Sequence, residues 1–138
     1  MKLLTKNTDY AVRALLRISL SGEEYVNSRE ISTAENIPLP YLRRILSELG
    51  RAGLVRTREG VKGGISLALP PEKISLVGLI EIFQEKVSLV ECLFRKKICA
   101  NVQTCPLRRR LKKIEKQVVD ELEGITLASL IEDVKREE

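Results

Sequence analysis

The sequence predicts a mainly α fold of the α+β kind, in which one small β-hairpin is set among helices. Three observations carry that expectation. Apolar residues recur at helical spacing through most of the chain. One pair of short β-type runs, Leu54–Arg58 and Ile65–Leu69, flanks a glycine-bearing turn. Prolines and glycines stand between these stretches, at Pro38, Pro40, Gly53, Pro70, Pro71, Pro106 and Gly124, and rarely inside them. A chain of 138 residues supports one domain with a real core and an appended helix.

Taken in order, Asn7 or Thr8 is expected to cap a first helix through Ile18, with Ala11, Ala14, Leu15 and Ile18 as its buried stripe. Asp9 falls in the first turn, where the helix dipole favours a carboxylate. Ser21-Gly22 ends this helix. Asn27-Ser28-Arg29-Glu30 resembles a capping box, with Asn27 or Ser28 as cap, for a short helix through Ile31 and Ala34. Pro38 then disfavours helical geometry at Ile37. A third helix is expected to open at Pro40, a residue suited to the first helical position, and to place Leu42, Ile45, Leu46 and Leu49 on one apolar face. Its other face carries Arg43, Arg44, Ser47 and Arg51, and Gly53 is its expected C-cap.

A short helix, a tight turn and an amphipathic helix with a basic outer face make a helix-turn-helix. The hairpin that follows is then a wing. Pro70-Pro71 stops its second strand, and Ser75 caps a helix burying Val77, Leu79, Ile80 and Phe83. From Pro106 to about Gly124, Leu107, Leu111, Ile114, Val118 and Leu122 form a narrow seam suited to pairing with a second subunit. Thr126 caps a last short helix bearing Leu127, Leu130, Ile131 and Val134. The expected organisation is a winged helix-turn-helix domain over 1–85, a cysteine loop over 86–105, and a dimerisation helix with a C-terminal helix over 106–138.

Composition narrows the function. The chain has no histidine, which excludes a Ser–His–Asp triad, a Cys–His pair and any imidazole ligand. No glycine loop of the Walker or Rossmann type occurs, so the expectation is a protein that is not an enzyme. No run approaches the ~18 apolar residues of a membrane span. The first residues lack the apolar region of a signal peptide, and the expected location is cytoplasmic. A net charge of +5 favours a polyanionic partner.

The expected partner is double-stranded DNA. Arg43, Arg44, Ser47 and Arg51 on the third helix, with Pro40 and Tyr41 at its start, form the candidate reading face. Arginine there can bind guanine O6 and N7 bidentately. Tyr41 either donates to a phosphate or packs, and the first is favoured. Arg56, Arg58, Lys62 and Gly63 in the wing, and Ser28 at the start of the second helix, complete the candidate contacts. A two-fold homodimer would set two such helices roughly 34 Å apart, on a pseudo-palindromic operator.

All three cysteines, Cys92, Cys99 and Cys105, lie between Glu91 and Pro106 at spacings C-x6-C-x5-C. An odd number argues against a closed disulfide framework. The gaps are wider than those of zinc ribbons, and the segment is basic at Arg95, Lys96 and Lys97, which suits thiolates better than a core does. Spacing favours a metal centre and leaves zinc and iron–sulfur both open.

The whole chain resembles the Rrf-two family of winged-helix transcription regulators, of the IscR/NsrR-like kind. The stretches that carry the resemblance are Thr8–Leu15, Ile37–Leu42, Leu54-Val55-Arg56, the wing Gly60-x-x-Gly63-Gly64, the three cysteines, and Ile125-Thr126-Leu127-x-x-Leu130. The resemblance implies a homodimer carrying a 2Fe–2S or 4Fe–4S cluster on Cys92, Cys99 and Cys105, one that can be lost from protein prepared in air. Some members complete the cluster with an aspartate from the partner subunit, and Asp9 matches its position. Others use a histidine three residues after the last cysteine, where this chain has Arg108. The first cysteine gap is one residue longer than usual. Glu59 stands at a wing position that is often arginine, and Arg43 replaces an acidic residue of IscR-like members, so an operator sequence does not carry over. The resulting expectation is a regulator, a repressor in the favoured form, whose operator binding is controlled by the cluster. The alternative is a winged-helix repressor without a cluster, sensing oxidants through its thiols or binding zinc. A protein–protein interaction module on the same fold is a third reading, one without steep salt dependence of duplex binding.

Overall fold

A computed structural model describes residues 3–88, 93–94, 97–98 and 100–138. Its elements run α1 (Lys6–Leu20), α2 (Ser28–Glu35), α3 (Leu39–Arg51), β1 (Val55–Arg58), β2 (Gly64–Leu67), a 3-10 turn (Pro71–Lys73), α4 (Leu76–Gln84), β3 (Leu93–Phe94), β4 (Lys97–Ile98), α5 (Pro106–Glu123) and α6 (Leu127–Glu137). The mainly α, winged helix-turn-helix expectation is met.

The core forms where three amphipathic helices turn their apolar stripes inward. Ala11, Ala14 and Leu15 of α1, Ile31 of α2, and Leu42 and Leu49 of α3 are wholly buried. Two alanines on α1 keep the helix surface low, so the neighbouring helices can approach closely. Ile37 plugs the turn between α2 and α3 into the same core. That turn is possible because Asn36 takes the left-handed conformation at φ 53°, which asparagine tolerates better than most residues. Arg13 and Arg17 of α1 both reach Glu35, the latter at 2.8 Å, and fasten the end of α2.

The caps expected at Asn27, Ser75 and Thr126 are present, the last as a full capping box with Ser129. The cap of α1 differs. Thr5 holds that position and accepts from the Thr8 N–H, so the helix starts before either expected residue. Asn7 and Thr8 lie inside the first turn and spend their side chains on other helices, as described below. At the end of α3 the cap is Ala52, and Gly53 follows in the left-handed region at φ 81°. Leu54 N–H bonds to Leu49 C=O and Gly53 N–H to Gly50 C=O, a Schellman closure.

β1 and β2 pair antiparallel, with Val55 opposite Leu67 and Arg58 opposite Gly64. Val26 joins as a third, one-residue edge, exchanging both backbone bonds with Ile65 at 2.9 and 2.7 Å. This explains a glycine: a Cβ on Gly64 would stand 2.5 Å from the Val26 carbonyl oxygen.

The C-terminal helix returns to the winged domain. Leu127 N–H donates to Ile74 C=O and Leu76 N–H to Ile125 C=O, and Leu127 is buried in the core with Leu15 and Leu79. A second, smaller cluster joins Val77 and Ile80 of α4 to Leu122 of α5. The segment expected as a plain loop contains one short antiparallel pair, with Leu93 opposite Ile98 and Phe94 opposite Lys97. No helix among the described residues is long and apolar enough to cross a membrane.

Candidate nucleic-acid interface and cysteine segment

α3 presents one side to the core and the other to solvent. Pro40, Arg43, Arg44, Ser47 and Arg51 are all exposed, as the periodicity of Leu42, Ile45, Leu46 and Leu49 requires. Their states differ. Arg51 pairs with Glu48 at 3.0 Å, and the Arg44 guanidinium lies 5.1 Å from the Tyr41 ring centroid. Arg43 is exposed, with neither an ion-pair partner nor an aromatic ring beneath it among the described residues. Ser28 is half-buried at the start of α2. Arg29 beside it is exposed, in the first turn of the helix that precedes α3.

Tyr41 is placed differently from the favoured expectation of a phosphate donor. Its hydroxyl donates to the Asn7 side-chain oxygen on α1, and its ring meets Tyr10 edge-on with centroids 5.5 Å apart. It packs rather than projects.

In the wing, Arg56, Arg58 and Lys62 are exposed and Gly63 is half-buried. Arg58 stacks over Tyr25 at 5.4 Å, which steadies its guanidinium beside the hairpin. No local pattern at Tyr25 announces this contact, because its partner lies across the wing in the sequence. Val61 stands fully exposed at the hairpin tip between the basic residues.

Of the three cysteines, Cys92 and Cys99 lie outside the described residues. Cys105 is a free, half-buried thiol at the N-cap of α5, where it makes no capping bond. A turn on Asn101, accepting from Thr104 and Cys105 N–H groups at 3.1 and 2.9 Å, delivers it there. One helical turn further on, the Nε of Arg108 is buried without a hydrogen-bond partner among the described residues. An unspent soft donor beside an unsatisfied buried guanidinium N–H fits a group carrying negative charge on sulfur, as an iron–sulfur centre does. Asp9 sits in the first turn of α1, over half exposed, and pairs with Arg13 at 3.5 Å.

The seam of α5 grades along its length. Leu107 and Ile114 are 64% and 47% exposed, Leu111 and Val118 are half-buried, and Leu122 is buried against α4. Leu3, Ile114, Val118 and Leu122 line an open apolar groove.

Residues 4–133 match the family model Rrf2, described as an iron-dependent transcriptional regulator. The chain is 36% identical over 132 residues to the HTH-type transcriptional regulator NsrR of Geobacillus kaustophilus, covering 94% of this chain and 90% of the relative. Among solved structures it is similar to T. potens IscR, with a TM-score of 0.79 at 24% identity, covering 100% of this chain and 91% of that one. It is also similar to CymR, the global cysteine regulator of B. subtilis, with a TM-score of 0.76 at 24% identity, covering 96% and 98%. These likenesses are to transcription regulators and not to enzymes, in agreement with a chain that lacks histidine and phosphate-binding loops. The chain belongs to the Rrf2 family of DNA-binding transcriptional regulators.

Proposed function

We propose that this regulator binds a pseudo-palindromic operator as a homodimer, and that an iron–sulfur cluster on Cys92, Cys99 and Cys105 sets its operator affinity. The observation that carries the reading is where the cysteines fall. All three stand in the one segment joining α4 of the winged domain to α5, and the last of them is the N-cap of α5. Constraint of that segment therefore bears on both the reading head and the pairing helix. The iron-dependent description of the matching family supports the metal, and the orphaned Arg108 Nε supports an anionic group beside Cys105.

In this reading Arg43 reads a base edge, while Lys62, Arg56 and Arg58 hold phosphates. Leu107 and Ile114 meet their counterparts on the second subunit. The cluster supplies a crosslink between thiolates that is sensitive to oxidants and small ligands. The chain's own part is to hold α4 and α5 in one of two arrangements, which differ in affinity for DNA.

A second reading, thiol sensing without a metal, is favoured by the donor set. Histidine is absent, and the Asp9 carboxylate pairs with Arg13 at 3.5 Å, so the sequence offers a metal three cysteines and no imidazole. Strictly anaerobic purification separates the two. The cluster reading expects brown protein containing iron and sulfide, and colourless protein from Cys92→Ala/Cys99→Ala/Cys105→Ala. Wild-type protein that is colourless, iron-free and unable to take up iron and sulfide would leave the thiol reading in its place.

A further inference from the structure

The last residue of α4 is bonded in an unusual way. The Gln84 side-chain carbonyl accepts from the Thr5 N–H at 2.8 Å and from the Thr8 hydroxyl at 2.6 Å, while its amide group donates to the Leu3 carbonyl at 3.1 Å. Thr5 is the N-cap of α1, and Thr8 is wholly buried. One side chain thus holds the first turn of a helix nearly the length of the domain away in sequence. Between those two threonines, Asn7 accepts from the Tyr41 hydroxyl of α3, and Tyr41 in turn carries the Arg44 guanidinium on its ring. A continuous set of contacts therefore runs from the end of α4, through the start of α1, to the reading face of α3.

Two further features mark this joint. Glu85, the next residue, has φ 68° and ψ −163°, a conformation that is nearly confined to glycine and strained for a residue that bears a side chain. Such a conformation persists where neighbouring contacts over-determine it, and the residue just before it is the triply bonded Gln84. A cleft of about 190 Å³ lies in the same joint, bounded by Asn7, Tyr41, Arg44, Ile45, Glu48 and Phe83.

We propose that Gln84 is the positioning residue that transmits the state of the cysteine segment to the recognition helix. With Gln84 bonded, Glu85 is strained and the α1 turn holds Tyr41 and Arg44. With Gln84 released, Glu85 relaxes and that turn shifts, changing how Arg44 is presented to the duplex. This rests on the cluster reading above. It goes beyond that reading in naming the residue on which the coupling depends.

The test compares duplex affinity of cluster-loaded and cluster-stripped protein in wild type, Gln84→Leu and Gln84→Glu. Coupling of ordinary size would make the wild-type ratio roughly 5- to 150-fold. Gln84→Leu is expected to bring the ratio to within about twofold of unity, while visible absorption and iron content stay as in wild type. Gln84→Glu keeps both acceptor contacts and is expected to retain most of the ratio. Should Gln84→Leu unfold because the Thr8 hydroxyl loses its acceptor, Thr8→Val/Gln84→Leu removes both polar groups and carries the same expectation. A wild-type ratio preserved in these variants would overturn the role of Gln84 and leave the cluster reading standing. A wild-type ratio of one would overturn both.

Discussion

Replacing Leu107 and Ile114 together by serine separates the α5 seam from the fold that carries it. These side chains are 64% and 47% exposed in the single chain. Full burial of a leucine or isoleucine is worth about 1.5–3 kcal/mol, so each retains roughly 1 kcal/mol to gain from a partner. A two-fold pair brings four such side chains together, about 4 kcal/mol in all. The double variant should weaken the dimer by roughly 1,000-fold, measured by sedimentation equilibrium over a range of concentrations. Stability of the isolated chain should move by no more than about 0.5 kcal/mol, because neither residue belongs to a buried cluster. Leu122→Ala is the contrasting control. That leucine is 6% exposed against Val77 and Ile80, and its truncation should cost about 2–5 kcal/mol of folding stability. An unchanged dimer constant in the double serine variant would refute the assignment of the seam.

Three further outcomes follow from single contacts. Thr8→Val removes the hydroxyl that donates to Gln84 at 2.6 Å in a wholly buried position, and should lower urea stability by about 1–3 kcal/mol; an unchanged midpoint would contradict it. Gly64→Ala would force a Cβ to 2.5 Å from the Val26 carbonyl oxygen, and should cost about 2–3 kcal/mol while weakening duplex binding through the displaced wing. A fully stable Gly64→Ala protein with native affinity would show that the wing edge is not built as described. Lys62→Ala should lower the slope of log K against log salt by about 0.9, the share of one phosphate contact, and a slope equal to wild type would place Lys62 off the backbone.

The parts of the fold legible in the sequence were those governed by local chemistry. The four apolar residues of α3 recur at i, i+3, i+4 and i+7, and one spacing rule buries all of them. Ser75 and Thr126 were readable as caps because each stands alone before an apolar run. At α1 three capping residues, Thr5, Asn7 and Thr8, crowd the same turn, and propensity ranks Asn7 above either threonine. Tertiary contacts decide: Gln84 takes Thr8 and Tyr41 takes Asn7, which leaves Thr5 as the cap. For the same reason Tyr41 was misjudged, since its acceptor lies 34 residues away. The pair of two-residue strands at Leu93–Phe94 and Lys97–Ile98 is too short to show alternation. At the candidate site, the basic faces of α3 and the wing were legible as charge placed opposite apolar periodicity. The clamp of Gln84 on α1 was not, because nothing local to a glutamine at a helix end announces a partner so distant in sequence.

In the proposed mechanism, thiolate ligation in the cysteine segment governs how the reading heads meet DNA. Its most direct test is the affinity of one preparation for a duplex selected from genomic DNA, measured before and after anaerobic removal of iron. A difference of about tenfold or more is expected, and it should be absent in Cys92→Ala/Cys99→Ala/Cys105→Ala. Equal affinity in iron-loaded and iron-free wild-type protein, at one salt concentration, would contradict it.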